Sequence, residues 1–174
     1  MTSLTAAWVV VLAVAVQQPV DFSGTWIRDA ARSAAVGGGR GAGGGNPTGG
    51  QGGGLGLGPA PDRLVIAQTA QSLSIEEHRG DAVSRVVYKV DGPKSTNAIA
   101  AGRSMGGSFT STSVWKDGRL VTTITYPMSA TSTDTVVMEE IRSIDRDGFL
   151  VVEASIKGQP NLRRSVYARP KSAS

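Results

Sequence analysis

Most of the chain consists of short runs in which apolar and polar side chains alternate, separated by turn-forming residues. Residues 72–78 show this clearly, because Leu73 and Ile75 fall on one face while Ser74 and Glu76 fall on the other. A period of two is what an extended strand imposes on its side chains. Only 5% of the residues are aromatic, so a core must be built mainly from Val, Ile, Leu and Ala, which suit strands. The pattern predicts an all-β barrel or sandwich.

About nine of these runs are long enough to be strands, and no window of the sequence shows helical periodicity. The stretch between residues 91 and 107 is rich in Ala, Gly and Ser, and it is predicted to be a loop. The predicted strands span residues 22–28, 64–68, 72–78, 85–90, 108–115, 120–126, 135–144, 149–157 and 164–169.

The sharpest local prediction is a hairpin that turns at Asp117-Gly118. This pair tolerates the positive φ angles of a two-residue type I′ turn, whose twist matches that of antiparallel strands. The large apolar side chains then fall mostly on one face of the hairpin. The predicted register pairs Trp115 with Leu120, Ser113 with Thr122, Ser111 with Ile124 and Phe109 with Tyr126.

A second hairpin is predicted between residues 135–144 and 149–157, turning at Asp147-Gly148. The sequence leaves its register open. A two-residue turn places Arg142 beside Glu153, whereas a four-residue loop places Glu140 there. Opposite charges across a strand pair attract and like charges repel, so the two-residue turn is favoured.

The amino terminus has the pattern of a signal peptide. An uncharged apolar block spans residues 6–16, and Ala13-Val14-Ala15 offers an A-x-A cleavage site, so residues 1–15 are expected to be removed. No Lys or Arg precedes the block, and a first strand, a buried helix or an uncleaved anchor are the alternatives. We expect a periplasmic or extracellular protein without stable membrane insertion after cleavage.

A tract dominated by glycine covers residues 37–60. It cannot offset its ordering entropy by burial, so it is predicted to be a disordered loop between the first and second strands. Its G-x-G-x-x-G spacing is attributed to chance, because neither a strand nor a helix frames it. Besides the signal peptide and this loop, the predicted organisation comprises an amino-terminal segment with the first strand over residues 16–36, a β-barrel over 61–170 and a tail over 171–174.

Residues that carry catalysis or bind metals are scarce. The chain has no cysteine and one histidine, His78, which excludes disulfides, thiolate chemistry and histidine-rich metal sites. Adjacent carboxylates point to opposite faces of a strand, so Glu140 with Glu153 across the second hairpin is the best acid–base candidate. The net charge of +4 is dispersed, without the basic track or aromatic ladder that nucleic acid requires. We predict a protein that is not an enzyme and holds no metal or cofactor.

Two motifs carry a family resemblance: D-F-S-G-T-W at residues 21–26 and Y-A-R at residues 167–169. They resemble small secreted bacterial proteins described as lipocalin-like, many of them of unknown function. The resemblance implies a single antiparallel up-and-down barrel of about eight or nine strands. It also implies that Trp26 of the G-x-W motif packs against a basic side chain of the last strand, with Arg169 the first candidate and Arg164 the second. Such a cation–π contact contributes about 0.5–2 kcal/mol.

The resemblance and the central hairpin together lead to a functional hypothesis. If the aromatic face of that hairpin lines the barrel, apolar walls and a few hydroxyl groups combine as they do in ligand pockets. We therefore expect a small apolar ligand. The alternatives are a cell-envelope interaction or structural module without a ligand and, third, a hydrolase or isomerase; the oligomeric state is left open. The candidate ligand-binding residues are Phe109, Ser111, Ser113, Trp115, Thr122, Ile124 and Tyr126.

Overall fold

The computed structural model describes residues 19–33, 35–36, 60–99, 107–128, 132–158 and 162–171. These residues form eleven β-strands and no helix, so none of them belongs to a helix able to cross a membrane. The strands are β1 Gly24–Arg28, β2 Ala35–Val36, β3 Arg63–Gln68, β4 Ser72–Arg79, β5 Ala82–Lys89, β6 Ser95–Ala98, β7 Ser108–Lys116, β8 Arg119–Pro127, β9 Thr135–Ile144, β10 Leu150–Ile156 and β11 Leu162–Ala168.

Ten of the described strands follow one another in a single antiparallel sheet, in the order β5-β4-β3-β1-β11-β10-β9-β8-β7-β6, and β2 pairs with β11 beside this path. The sheet curls until its two edge strands, β5 and β6, lie next to each other. The prediction of an all-β antiparallel barrel is confirmed. The described barrel has ten strands rather than eight or nine, because the sequence analysis missed β6.

The two halves of the barrel interior are filled differently. The turn end is the end of the barrel with the Asp117-Gly118 and Asp147-Gly148 turns, and the opposite end is the cavity end. Large apolar side chains, each at most 1% exposed, close the half at the turn end. They are Phe22, Trp26, Leu73, Leu120 and Leu150. The buried charged side chains, Glu140 and Arg142, lie in the half at the cavity end.

The register of the central hairpin, β7 with β8, is confirmed. Trp115 pairs with Leu120, Ser113 with Thr122 and Ser111 with Ile124. The turn residues Asp117 and Gly118 have φ angles of 51° and 73°, as a type I′ turn requires. The local signal was sufficient here because the turn type alone sets the register.

Replacing Gly118 by alanine is expected to lower the free energy of unfolding by about 1 kcal/mol, because an L-residue is strained at positive φ. A Cβ at this position meets nothing within 4 Å, so the cost is conformational only. Urea unfolding measures it. Gly92→Ala is the matched control, since that glycine lacks a positive φ and a Cβ there makes only ordinary contact. Equal losses in the two variants would contradict the prediction.

Both registers considered for the second hairpin are wrong. In β9 and β10, Arg142 lies opposite Val152 and Glu140 opposite Ala154, one residue away from each alternative. The cause is the turn. Gly148 N–H donates to the carbonyl of Asp145 at 3.0 Å and Gly148 has a φ of 83°, which is the pattern of a three-residue loop with a bulge.

The side chain of Asp145 stabilises that turn, because its Oδ1 accepts from the main-chain N–H of Asp147 at 3.0 Å and of Phe149 at 2.9 Å. A shift of one residue moves side chains to the other face of a strand. Glu140 and Arg142 consequently face the barrel interior together with Val152 and Ala154, while Glu153 faces outward.

The predicted loop after residue 90 contains a strand, β6, which pairs with β7 over four residue pairs. We call the junction of β6 with β5 the seam. No main-chain ladder between described residues joins the two strands there. Side chains close it instead. The amide of Asn97 accepts from Val87 N–H at 2.7 Å and donates to Val87 O at 2.9 Å, and the Ser95 hydroxyl accepts from Lys89 N–H at 2.7 Å.

Several predictions fall on residues outside the described ranges. These are the signal peptide over residues 1–15, nearly all of the glycine-rich loop over 37–60, and most of the tail over 171–174. The first strand lies where it was expected, between β3 and β11, and it pairs with β3 from Gly24 to Ile27.

Candidate ligand-binding cavity

A cavity of about 50 Å³ lies inside the barrel at the cavity end. Strands β4, β5, β8, β9 and β11 contribute its polar side chains, because every second residue of each strand points inward. Strands β3, β5, β7, β8, β9 and β10 contribute most of the apolar ones. The polar lining residues are Glu77, Arg79, Ser84, Tyr88, Tyr126, Glu140, Arg142, Arg163, Ser165 and Tyr167; the main apolar ones are Leu64, Val86, Ile99, Phe109, Ile124, Met138 and Val152.

The pair of Glu140 and Arg142 on β9 is the most buried charged group in this cavity, with residue exposures of 7% and 2%. One carboxylate oxygen of Glu140 forms an ion pair with Nη2 of Arg142. The guanidinium also lies over the ring of Tyr88, with Cζ 5.0 Å from the ring centroid. Among the described residues, Nε and Nη1 of Arg142 have no hydrogen-bond partner.

Arg142 is charged in this setting. Burial opposes the charged form, but the negative charge of Glu140 and the phenol of Tyr88 more than offset it, so the pKa of Arg142 is raised. For Tyr88, burial raises the pKa well above its ordinary value, and the negative charge of Glu140 raises it further. Burial raises the pKa of Tyr167 to about 12. Both phenols are therefore neutral at physiological pH and retain their O–H groups as donors.

A second ion pair lines the same cavity, because Arg79 Nη1 lies 2.7 Å from the Glu77 carboxylate. Arg163 on β11 is a third arginine in the lining. Three arginines and two glutamates give the cavity a formal charge of +1. The lining therefore favours an anion over a cation.

The predicted ligand-binding residues are divided between the two halves of the barrel. Phe109, Ile124 and Tyr126 line the cavity, and the rings of Phe109 and Tyr126 pack at a centroid distance of 4.9 Å. The other four lie outside it. They are Ser111, Ser113, Trp115 and Thr122.

These four residues belong to the packed interior toward the turn end. Trp115 stacks on Phe22 with ring centroids 5.5 Å apart. The hydroxyls of Ser113 and Thr122 form a buried hydrogen bond of 2.9 Å. Ser111 is buried, and among the described residues its hydroxyl has no partner. Most of the hydroxyl-rich part of the predicted site is therefore filled by its own packing.

Trp26 lies in the core at 1% exposure, and its indole Nε1 donates to the carbonyl of Phe22 at 2.8 Å. The guanidinium of Arg169, the first candidate partner, lies over the indole with Cζ 4.3 Å from the ring centroid. It also donates to Ser23 O at 3.1 Å. Arg164, the second candidate, instead donates to the carbonyl of Arg32 at 3.4 Å.

The candidate acid–base pair does not form, because Glu140 and Glu153 lie on opposite faces of the sheet. His78 lies on the outer face of β4, where Nε2 contacts Glu76 at 2.7 Å and Nδ1 contacts Arg63 at 2.9 Å. In the part of the chain that the structure describes, no three His, Cys, Asp or Glu side chains are grouped as a metal site.

The polar cluster of the cavity, which comprises the two ion pairs, Tyr88 and Tyr167, is absent from the predicted site. Leu73 and Ile75 place Glu77 and Arg79 on the inward face of β4 by the period of two, so the ion pair of Glu77 and Arg79 was available from the sequence. Arg142 was not, since its face depends on the bulge in the second hairpin.

No protein-family profile matches the chain, and no curated protein matches it in sequence. Among solved structures, the REP1-NXSQ fatty acid transporter superposes with a TM-score of 0.51 and 9% sequence identity, covering 87% of this chain and 97% of its own. A fatty-acid-binding protein isolated from Manduca sexta superposes with a TM-score of 0.44 and 17% identity, covering 60% of this chain and 70% of its own. The likeness to the transporter is one of fold, that of an antiparallel β-barrel.

Proposed function

We propose that this barrel binds a small molecule that has an apolar body and one anionic group. The anionic group lies against Arg142, and the apolar body lies along the cavity walls. The protein acts as a carrier or receptor of this ligand without catalysis, and it does so after export from a bacterial cell, as the resemblance to small secreted bacterial proteins implies.

The observation that carries the proposal is the pair of buried N–H groups on Arg142 that have no hydrogen-bond partner among the described residues. An unpaired buried donor costs about 1–3 kcal/mol, and more when it is charged. A carboxylate oxygen accepts a charge-assisted hydrogen bond from a guanidinium N–H, and either Nε or Nη1 of Arg142 can supply that donor. The formal charge of +1 in the cavity also favours a negatively charged ligand.

The size of the cavity supports a short ligand. Pockets that hold drug-sized molecules have volumes of roughly 300–1,000 Å³. The cavity here measures about 50 Å³, so a longer chain would have to displace side chains. Met138 lies in the wall and has a flexible side chain that adapts its packing readily. The structural neighbour is named a fatty acid transporter, and a short fatty acid has the proposed combination of carboxylate and apolar body.

Titration calorimetry with hexanoate and hexanol tests the proposal, because the two probes share a chain length and differ in charge. We expect hexanoate to bind about tenfold more tightly or better, since a hydrogen bond to a charged group contributes about 1.5–3 kcal/mol. The protein is first freed of any co-purified ligand by unfolding and refolding. Equal affinities, or binding of neither probe, would contradict the proposal.

A second candidate function is a cell-envelope module that uses the outside of the barrel and holds no ligand. The small volume of the cavity favours it, since most of the interior is occupied by side chains. A native mass spectrum of gently purified protein separates the two functions. Added mass that disappears on unfolding supports the carrier, and a bare mass together with silent calorimetry supports the module.

A further inference from the structure

The seam between β5 and β6 is held differently from the rest of the described sheet. Elsewhere main-chain ladders join the strands, from two residue pairs for β1 with β11 to eight for β4 with β5 and for β8 with β9. The three hydrogen bonds that join β5 to β6 all use the side chains of Asn97 and Ser95. Beyond the seam, at the turn end, the chain after β5 contacts β7 instead, because Asp91 N–H donates to Ser113 O at 2.9 Å.

The seam runs along the cavity. Ser84, Val86 and Tyr88 on one side of it and Ala98 and Ile99 on the other all line the cavity. The two bonds between Val87 and Asn97 are the last along the seam. Beyond them, toward the cavity end, no hydrogen bond between described residues joins the two strands. A separation of β5 from β6 would therefore open the cavity sideways to solvent.

Two exposed valines lie on the outer surface beside the seam, where they alternate with Arg85 and Lys89. Val83 and Val87 on β5 are 57% and 37% exposed, although apolar side chains of this size are usually buried. They lie on the outer face of the strand whose inner face lines the cavity. An apolar ligand body would contact these side chains before it reached the interior.

We propose that the seam is a lateral entrance for the ligand, which Asn97 and Ser95 hold closed. This inference rests on the proposed function. Opening breaks three side-chain hydrogen bonds and no ladder, because β6 stays paired with β7 and β5 stays paired with β4. Local openings of a protein occur where few stabilising contacts are lost, and the seam is such a place because no ladder joins its two strands.

Hydrogen exchange of the ligand-free protein tests the opening. The N–H groups of Val87 and Lys89, which donate to Asn97 and Ser95, are expected to exchange at least about tenfold faster than the ladder amides of β8 and β9. Nuclear magnetic resonance resolves the individual amides. Equal protection of the two sets would overturn the inference.

Binding kinetics test the route. The probe is 2-aminobenzoate, a small fluorescent dye with one ring and one carboxylate, mixed with protein in a stopped-flow instrument. Ser95→Ala removes one bond of the seam and Asn97→Ala removes two, so we expect the association rate to rise in that order, by up to about tenfold.

A cross-link provides the opposite perturbation. The chain has no cysteine, so Val87→Cys with Thr96→Cys allows a short thiol-reactive cross-linker to join the outer faces of β5 and β6. We expect the association rate of the dye to fall at least about tenfold while its equilibrium affinity persists. The matched control is Thr110→Cys with Thr125→Cys, a pair that faces outward in the β7 and β8 ladder, cross-linked by the same reagent.

The outcomes distinguish the two proposals. A slow rate for the cross-linked seam alone supports lateral entry. An unchanged rate overturns it and assigns entry to the end of the barrel, while the proposed function stands. If the dye and hexanoate bind to no form of the protein at equilibrium, the proposed function fails and lateral entry fails with it.

Discussion

Replacing Arg142 alone by leucine is expected to lower the free energy of unfolding by about 3–5 kcal/mol, because it leaves the buried carboxylate of Glu140 without its ionic partner. The whole stability of a domain is about 5–15 kcal/mol, so this one change removes a large share of it. Urea unfolding followed by circular dichroism measures the loss.

The double variant Arg142→Leu with Glu140→Leu is expected to recover most of that stability. Replacing both partners of a buried ion pair with apolar groups is often neutral or stabilising, by about 1–4 kcal/mol. Ligand binding is expected to respond differently, since the guanidinium that receives the anion is absent in both variants. The double variant should therefore be folded and bind hexanoate no better than hexanol.

Arg146→Leu serves as the control for the loss of an arginine, because Arg146 is exposed in the neighbouring turn. Its effect on stability is expected to be within about 0.5 kcal/mol, with the preference for hexanoate unchanged. A double variant that is folded and still prefers hexanoate would remove Arg142 from the proposed site. A single variant as stable as the unmodified protein would show that Glu140 finds another partner or is neutral.

The contrast between the two hairpins explains how much of the fold the sequence could predict. At Asp117-Gly118 the residue pair specifies one turn type, and the register of two whole strands follows from it. At Asp147-Gly148 the same pair lies in a longer turn, because the side chain of Asp145 accepts two main-chain N–H groups. Nothing local to the dipeptide reports that contact, so its register could not be predicted from the turn alone.

The candidate site inherited that error. One residue of register decides whether Glu140 and Arg142 face solvent or the cavity, so the sequence could not place them, and the predicted ligand site rested on the aromatic face of the central hairpin. The strand β6 was missed for a related reason. Ser95 and Asn97 face inward while Thr96 and Ala98 are exposed, so the strand has no apolar face to produce a period. Its extended conformation depends on pairing with β7 and on the seam, which are contacts distant in sequence.

Replacing Trp26 by alanine is the other change with a large expected effect. Its side chain is 1% exposed and packs in the core at the turn end, where Phe22 stacks on Trp115. Truncating a buried tryptophan costs about 3–5 kcal/mol through lost burial and the cavity left behind. The variant also removes the donor to Phe22 O and the ring beneath Arg169. The midpoint of urea unfolding is expected to fall accordingly.

Two further variants divide that loss into its causes. Arg169→Met keeps an unbranched apolar stem but removes the guanidinium, and since Arg169 is exposed the expected loss is only about 0.5–1 kcal/mol. Trp26→Phe keeps an aromatic ring for the guanidinium and loses the indole donor, so its cost should lie between those of the other two variants. If Arg169→Met were as destabilising as Trp26→Ala, the cation–π contact rather than core burial would hold the amino-terminal strand in the barrel. Because the indole is almost fully buried and the guanidinium is not, we expect burial to dominate.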